Sequence, residues 1–366
     1  MRILILGDPN SPHTIKWATS LAKRGIDILV IGLGNLTVKS YESYSNIEIK
    51  TVSAKVTREE GSFKKIGYLK AVPFIKKQIK QFKPDILHAH YATSYGLLGA
   101  LSGFHPFIIS VWGSDVFSFP LKSPIHKIML KSVLRKADKI LSTSYVMAKE
   151  TNLYTTKYIE VTPFGVNTEQ FKPMGVKSLF AKDDIVIGTV KTLEDKYGIE
   201  YLIKAFRIVN DKHQELPLKL LIVGGGSLEN RLKNLAKELG IWNKVTFTGR
   251  VPFEEVPKYH NMLSVSVSVS ESESFGVAVV EAMACGKPVV VSNVGGLPEV
   301  VEEGKTGFVV PPRNPEEIAK AIERLILNKD LREKMGQAGR ERVMAIYDWN
   351  LCVDKMVGIY RGFIKN

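Results

Sequence analysis

Short β-branched runs alternate with longer stretches of helical periodicity from one end of the 366-residue chain to the other, a pattern few architectures accept. Strand and helix taken in turn build parallel sheets with crossover helices on their faces, so the fold class is α/β. In the first half, strands are expected near Arg2–Leu6, Asp27–Ile31, Ile47–Val52, Asp85–Ala89, Phe107–Val111, Lys139–Thr143 and Tyr158–Thr162, with helices such as Thr14–Arg24 and Ser123–Lys136 between them. The text turns irregular after Gly165, through Lys172, Pro173 and Gly175, before a new strand begins, which marks a hinge. A second set of strands follows near Ile185–Val190, Leu218–Val223, Val245–Thr248, Leu263–Val269, Pro288–Ser292 and Phe308–Val310. The chain exceeds what one core usually supports. The expected division is 1–168, 169–345 and a C-terminal helix over 346–366 that packs back on the first domain.

Composition excludes several classes. No uninterrupted apolar run is long enough to cross a bilayer, and the apolar start Met1–Gly7 is cut by Asp8 and Pro9 before it reaches the length of a signal peptide's core. Cys285 and Cys352 are the only cysteines and show no metal or redox spacing, so a cytoplasmic protein without a disulfide framework or zinc site is expected. A net charge of +14 favours anionic partners: nucleic acid, lipid head groups or phosphorylated small molecules. Lys64, Lys65, Lys70, Lys76, Lys77, Lys80 and Lys83 form a basic helical face opposite Phe74, Ile75 and Ile79. That face reads either as ordinary solvated surface or as contact with an anionic membrane at its inner side.

The chemistry concentrates after the strand Leu263–Val269. This strand alternates serine with apolar residues, yet it is read as an inner strand because a ligand-site segment follows it directly. A helix starting at Gly276 leaves the backbone N–H groups of Gly276, Val277 and Ala278 free beside the positive end of its dipole, a place suited to phosphate. Glu273 precedes it in the loop, and Glu281, four residues after Val277, projects back along the same helix face. Carboxylates beside a phosphate accept hydrogen bonds from sugar hydroxyls, so a sugar diphosphate carrying a ribose satisfies all three features.

The block Glu273-Ser274-Phe275-Gly276-Val277, seven-residue spacing to Glu281, then Ala-Met-Ala-Cys285-Gly286-Lys287-Pro288 resembles the E-x7-E region of GT-B retaining glycosyltransferases of family 4, with Ser274 in place of the usual glycine. Gly188-Thr-Val-Lys191 through Lys196-Tyr197-Gly198 resembles the family's Gly-Arg-Leu-x-x-x-Lys-Gly, with lysine for the first basic residue and Tyr197 inserted. The glycine turn Gly224–Gly226, the stretch Thr248-Gly249-Arg250-Val251-Pro252 and Val294-Gly295-Gly296-Leu297-Pro298-Glu299 follow in the family's order. The resemblance implies two Rossmann-like domains with parallel sheets facing across a cleft. It also implies a retaining, metal-independent transfer of a sugar from a UDP- or GDP-linked donor to a glycan, lipid or small-molecule acceptor. Polysaccharide, lipopolysaccharide or glycolipid synthesis would be the setting. In its terms Glu273, Ser274, Phe275, Gly276 and Val277 contact the donor sugar, Glu281 the ribose, Lys191, Lys196, Val277 and Ala278 the diphosphate, and Arg250 and Val251 the base.

The first half matches less closely. His90 and Tyr91 end a strand on the acceptor side, and Trp112 stands where relatives carry a histidine that touches the donor sugar. Asp115 is the expected ligand of an acceptor hydroxyl, His13 a further group reaching the cleft, and His88 a structural group. Neither a cofactor nor a metal is expected. Sugar-nucleotide epimerase or hydrolase chemistry on the same fold is an alternative. A dehydrogenase would need Gly-x-Gly-x-x-Gly where Gly7-Asp8-Pro9 stands, and a nucleic-acid binder would need aromatic residues interleaved with the basic ones.

Overall fold

The computed structural model describes residues 1–52 and 69–364, so Lys64 and Lys65 of the basic cluster lie outside the described residues. Two compact units emerge, Met1–Thr162 with Val353–Asn366 and Pro163–Cys352. The first break falls before the expected 168 and the return after the expected 345, and backbone pairing explains both shifts. Val166 N–H donates to the Tyr347 carbonyl and Trp349 N–H to the Val166 carbonyl, each at 2.9 Å, while Thr168 Oγ1 donates to Asp348 Oδ2 at 2.5 Å. The linker and the start of the last helix therefore hold each other inside the second unit.

In the first unit the strands β1 (Arg2–Leu6), β2 (Asp27–Leu33), β3 (Ile47–Val52), β4 (Ile86–His90), β5 (Phe107–Val111), β6 (Lys139–Ser142) and β7 (Ile159–Val161) form one parallel sheet in the order β3-β2-β1-β4-β5-β6-β7. Its central strands are apolar throughout because helices cover both faces. Leu4, Leu29, Leu87 and Ile109 have no exposed surface, so truncating any one to alanine costs about 2–5 kcal/mol. The helix Trp349–Arg361 completes this unit with its later turns. Asp354 meets Arg24 Nε at 2.6 Å, Lys355 donates to the Val161 carbonyl at 2.7 Å, and Tyr360 Oη shares a 2.6 Å hydrogen bond with His88 Nδ1.

The basic helix is an ordinary amphipathic one. Over Ala71–Phe82 it buries Ile75 and packs Phe74 and Ile79 against the core, leaving Lys76, Lys77 and Lys80 in solvent. Its apolar side is already occupied. Among the described residues no helix is long and apolar enough to cross a membrane.

The second unit repeats the plan with β8 (Ile185–Val190), β9 (Leu218–Val223), β10 (Val245–Phe247), β11 (Val265–Ser268), β12 (Val289–Ser292) and β13 (Gly307–Val310) in the order β10-β9-β8-β11-β12-β13. The alternating strand is internal, paired with β8 on one side and β12 on the other. Ser266 and Ser268 are buried like the valines between them, so the alternation does not mark an exposed face. Each sheet steps outward from its first strand and then jumps back across it, to β4 in one unit and to β11 in the other. This doubly wound order puts a ligand crevice at the carboxyl ends of the strands flanking the jump.

Candidate functional site

The jump in the second unit lies between β8 and β11, and the loops leaving these strands carry the charged groups. Lys191, the first residue after β8, meets Glu273 in the loop after β11, with Nζ 2.5 Å from Oε2 and each side chain 13% exposed. The Lys191 and Lys196 ammonium groups stand 4.3 and 4.9 Å from the centroid of the Tyr197 ring, so the inserted tyrosine contacts both cations through its π face. Glycines let the neighbouring backbone approach closely. At Gly224 (φ +135°) a side chain would collide with the Lys191 carbonyl, and at Gly295 (φ +51°) with that of Glu273, to which Gly296 N–H also donates at 3.1 Å. Two of the glycine motifs thus hold the two charged loops in place.

Gly276 (φ +105°) opens the helix Val277–Ala284 with no side chain to cap it. Val279 and Val280 N–H reach back to the Gly276 carbonyl at 3.0 and 3.1 Å, and among the described residues no acceptor meets the half-exposed Val277 and Ala278 N–H groups. These amides and the helix dipole favour an anion. Ser274 is half-exposed beside them. Phe275 faces the other way, its ring packed against those of Phe164 and Tyr347 at 6.5 and 5.5 Å, so only its backbone faces the site.

Glu281 is 8% exposed and its Oε2 lies 3.5 Å from His260 Nε2. That separation brings the two side chains close without forming a hydrogen bond, and among the described residues neither ring nitrogen of the fully buried His260 has a hydrogen-bond partner. His260, on the helix Val256–Met262, is a neighbour that sequence reasoning missed. A lone histidine among apolar residues carries no motif, and only the fold sets it against Glu281. Beyond β10, Arg250 is exposed and Val251 half-buried, and the backbone of Gly225 stands against Arg250. Among the described residues no three His, Cys, Asp or Glu side chains gather as metal ligands.

The carboxyl edge of the first sheet is arranged differently. Tyr91, just past β4, holds a left-handed backbone (φ +88°) that non-glycine residues seldom adopt, and its hydroxyl bonds the Ser114 hydroxyl. Trp112 is half-exposed, with its ring 4.7 Å from that of His90 and 5.7 Å from that of His13. His90 itself is only 2% exposed, its Nδ1 3.4 Å from Thr14 Oγ1, and burial together with His88 and His13 keeps its basicity well below that of an ordinary histidine. It supports Trp112 from beneath. His88 is structural as expected, held between Tyr360 Oη and, at 2.8 Å, Ser110 Oγ, with burial pushing its pKa down to about 3.

Asp115, expected to bind an acceptor hydroxyl, is enclosed by backbone N–H groups instead of facing solvent. It is 0% exposed, and its carboxylate accepts from the N–H groups of Ala92 at 2.9 Å, Gly113 at 2.8 Å and Trp112 at 3.2 Å. Burial raises its pKa, and these backbone hydrogen bonds oppose the rise. The residue ties the loop after β4 to the loop after β5, an internal task that leaves the carboxylate turned away from solvent.

Comparison with known proteins agrees with this architecture. Residues 172–342 match the family model "Glycosyl transferases group 1", and residues 2–144 match "Glycosyl transferase 4-like". An uncharacterized glycosyltransferase of Methanocaldococcus jannaschii is 29% identical over 88% of each chain. A D-inositol 3-phosphate glycosyltransferase of Acidothermus cellulolyticus is 30% identical over 76% of this chain and 67% of its own. Among solved structures, sucrose-phosphate synthase from Thermosynechococcus elongatus superposes with a TM-score of 0.83 at 23% identity, covering 99% of this chain and 98% of that one. Anabaena HepE in complex with UDP does so with a TM-score of 0.81 at 19% identity, covering 99% and 100%. The chain belongs to the glycosyl transferases group 1 family and is a glycosyltransferase of the GT-B fold.

Proposed function

We propose that the second unit binds a UDP- or GDP-linked sugar and that the protein transfers the sugar to an acceptor hydroxyl with retention of configuration and without a divalent metal. The observation that carries this reading is the Lys191–Glu273 pair, which joins the loops on both sides of the strand jump next to uncapped helix amides. Lys191 and Lys196 take the diphosphate together with the Val277 and Ala278 N–H groups. Glu273 exchanges its lysine for a sugar hydroxyl, with the backbone of Ser274, Phe275 and Gly276 alongside. Glu281 takes the ribose, and Arg250 with the backbone at Val251 takes the base. The acceptor, a glycan, lipid or small molecule, lies on the Tyr91 and Trp112 side. HepE, similar in fold, binds UDP.

In this mechanism the acceptor oxygen bonds to the anomeric carbon on the face from which the diphosphate departs. The acceptor proton passes to the departing phosphate oxygen. Charge growing on that oxygen is met by fixed cations and N–H dipoles, whose arrangement costs no reorganisation at the moment of reaction. The two lysines thus take the part a metal plays elsewhere. The test supplies UDP- and GDP-sugars with excess EDTA and follows nucleotide release and the anomeric configuration of the product. Release that persists in EDTA with retained configuration is expected. Abolition by EDTA removes the metal-free reading, inversion removes the retaining one, and silence with every donor removes the donor assignment.

A further inference from the structure

We infer that the first unit docks on anionic membranes through the outer face of the segment 119–136. Between Asp115 and Asp138 the sequence has no acidic residue and carries Lys122, Lys127, Lys131, Arg135 and Lys136. The helix Pro124–Lys136 already has a filled inner face, where Leu130, Val133 and Leu134 are buried in the core. Away from this face Ile125 and Ile128 on the helix, and Leu121 in the turn before it, are 71%, 67% and 76% exposed. The three-residue spacing places Ile125 and Ile128 in one stripe on the helix, with Leu121 in the turn just ahead of it. Lys122, Lys127 and Lys131, all exposed, flank it in sequence.

The start of the segment is anchored by packing and one hydrogen bond. Pro120 is buried behind it, the Phe119 ring packs edge-on to His126 at 4.7 Å, and Ser123 Oγ bonds His126 Nδ1 at 2.7 Å. Apolar side chains ringed by cations without a single acidic group match an interface of acyl chains below phosphate head groups, where both signals act together. A second copy of the chain fits poorly, because a twofold contact would set one copy's lysines against the other's. The segment leaves the carboxyl end of β5 and returns to the start of β6, so Ile125 and Ile128 lie in the turns nearest Tyr91 and Trp112. A membrane held there is on the side assigned to the acceptor. The surface itself stands independently of the donor reading.

The experiment sediments the full chain with vesicles of phosphatidylcholine alone and of phosphatidylcholine mixed with phosphatidylglycerol. Binding to the mixed vesicles is expected to exceed binding to the neutral ones by roughly tenfold or more and to weaken with salt. Changing Lys122, Lys127 and Lys131 together to glutamine should lower it on the order of a hundredfold. Ile125→Asn with Ile128→Asn should lower it roughly tenfold. Both variants should keep the parent's melting temperature and nucleotide affinity, because the altered side chains are exposed and belong to the first unit, whereas the donor loops belong to the second. Equal partition into both vesicle types, or binding that survives both variants, overturns the assignment. A dimer in solution that the asparagine pair dissociates overturns it in favour of self-association.

Discussion

The two sheets share one strand order, yet their carboxyl edges use carboxylates in opposite ways. At β8 and β11, Glu273 pairs with the side chain of Lys191 and both keep some exposure, beside helix amides that no side chain among the described residues caps. At β4 and β5, Asp115 is fully buried and bonded only to backbone N–H groups. A side-chain partner can leave when a ligand arrives, whereas a backbone partner belongs to the fold. The difference therefore separates groups available for chemistry from groups that keep loops in place.

The sharpest way to break this contrast is a pair of alanine variants. Lys191→Ala should lower turnover roughly 100- to 1,000-fold, since it removes a cation aimed at developing charge. The same change should lower stability by only about 1.5–3 kcal/mol, the contribution of a hydrogen bond between charged groups. Asp115→Ala should do the reverse. It leaves three N–H donors of two buried loops without an acceptor, which amounts to roughly 3–5 kcal/mol of lost stability in urea unfolding. The fraction that remains folded should keep its nucleotide affinity. If Asp115→Ala melts like the parent, or if Lys191→Ala keeps full turnover, the distinction between the two edges fails.

A smaller effect concerns pH. Burial lowers the His88 pKa to about 3, below its ordinary value near 6.5, so the unfolded chain binds the extra proton first as pH falls. The stability tied to neutral His88 is complete above pH ~6.5 and declines as pH drops toward ~3, by about 2 kcal/mol at pH 5. Denaturant midpoints measured across this window should fall less steeply for His88→Gln than for the parent. Parallel slopes would show that the buried imidazole is not the group responsible.

Most strands were legible because buried parallel strands read as short apolar runs between helical stretches. Even the serine-alternating strand was assigned correctly, from the ligand segment that follows it. The Lys191–Glu273 pairing was only half legible: resemblance pointed to each residue, but nothing local shows that they meet, since 82 positions separate them. The burial of Asp115 is not legible in the sequence, for a physical reason. A carboxylate after a strand has the same sequence whether it faces solvent or the N–H groups of a neighbouring loop, and tertiary packing decides. His260 was invisible on the same ground, because only the fold sets its helix against Glu281.

The bond between His88 and Tyr360 spans 272 positions. At a synthesis rate of about 5–20 residues per second, the partner of an early strand leaves the ribosome tens of seconds after the strand itself. During that interval the whole second unit is made, since it runs from Pro163 to Cys352. The unit begun first is therefore finished last.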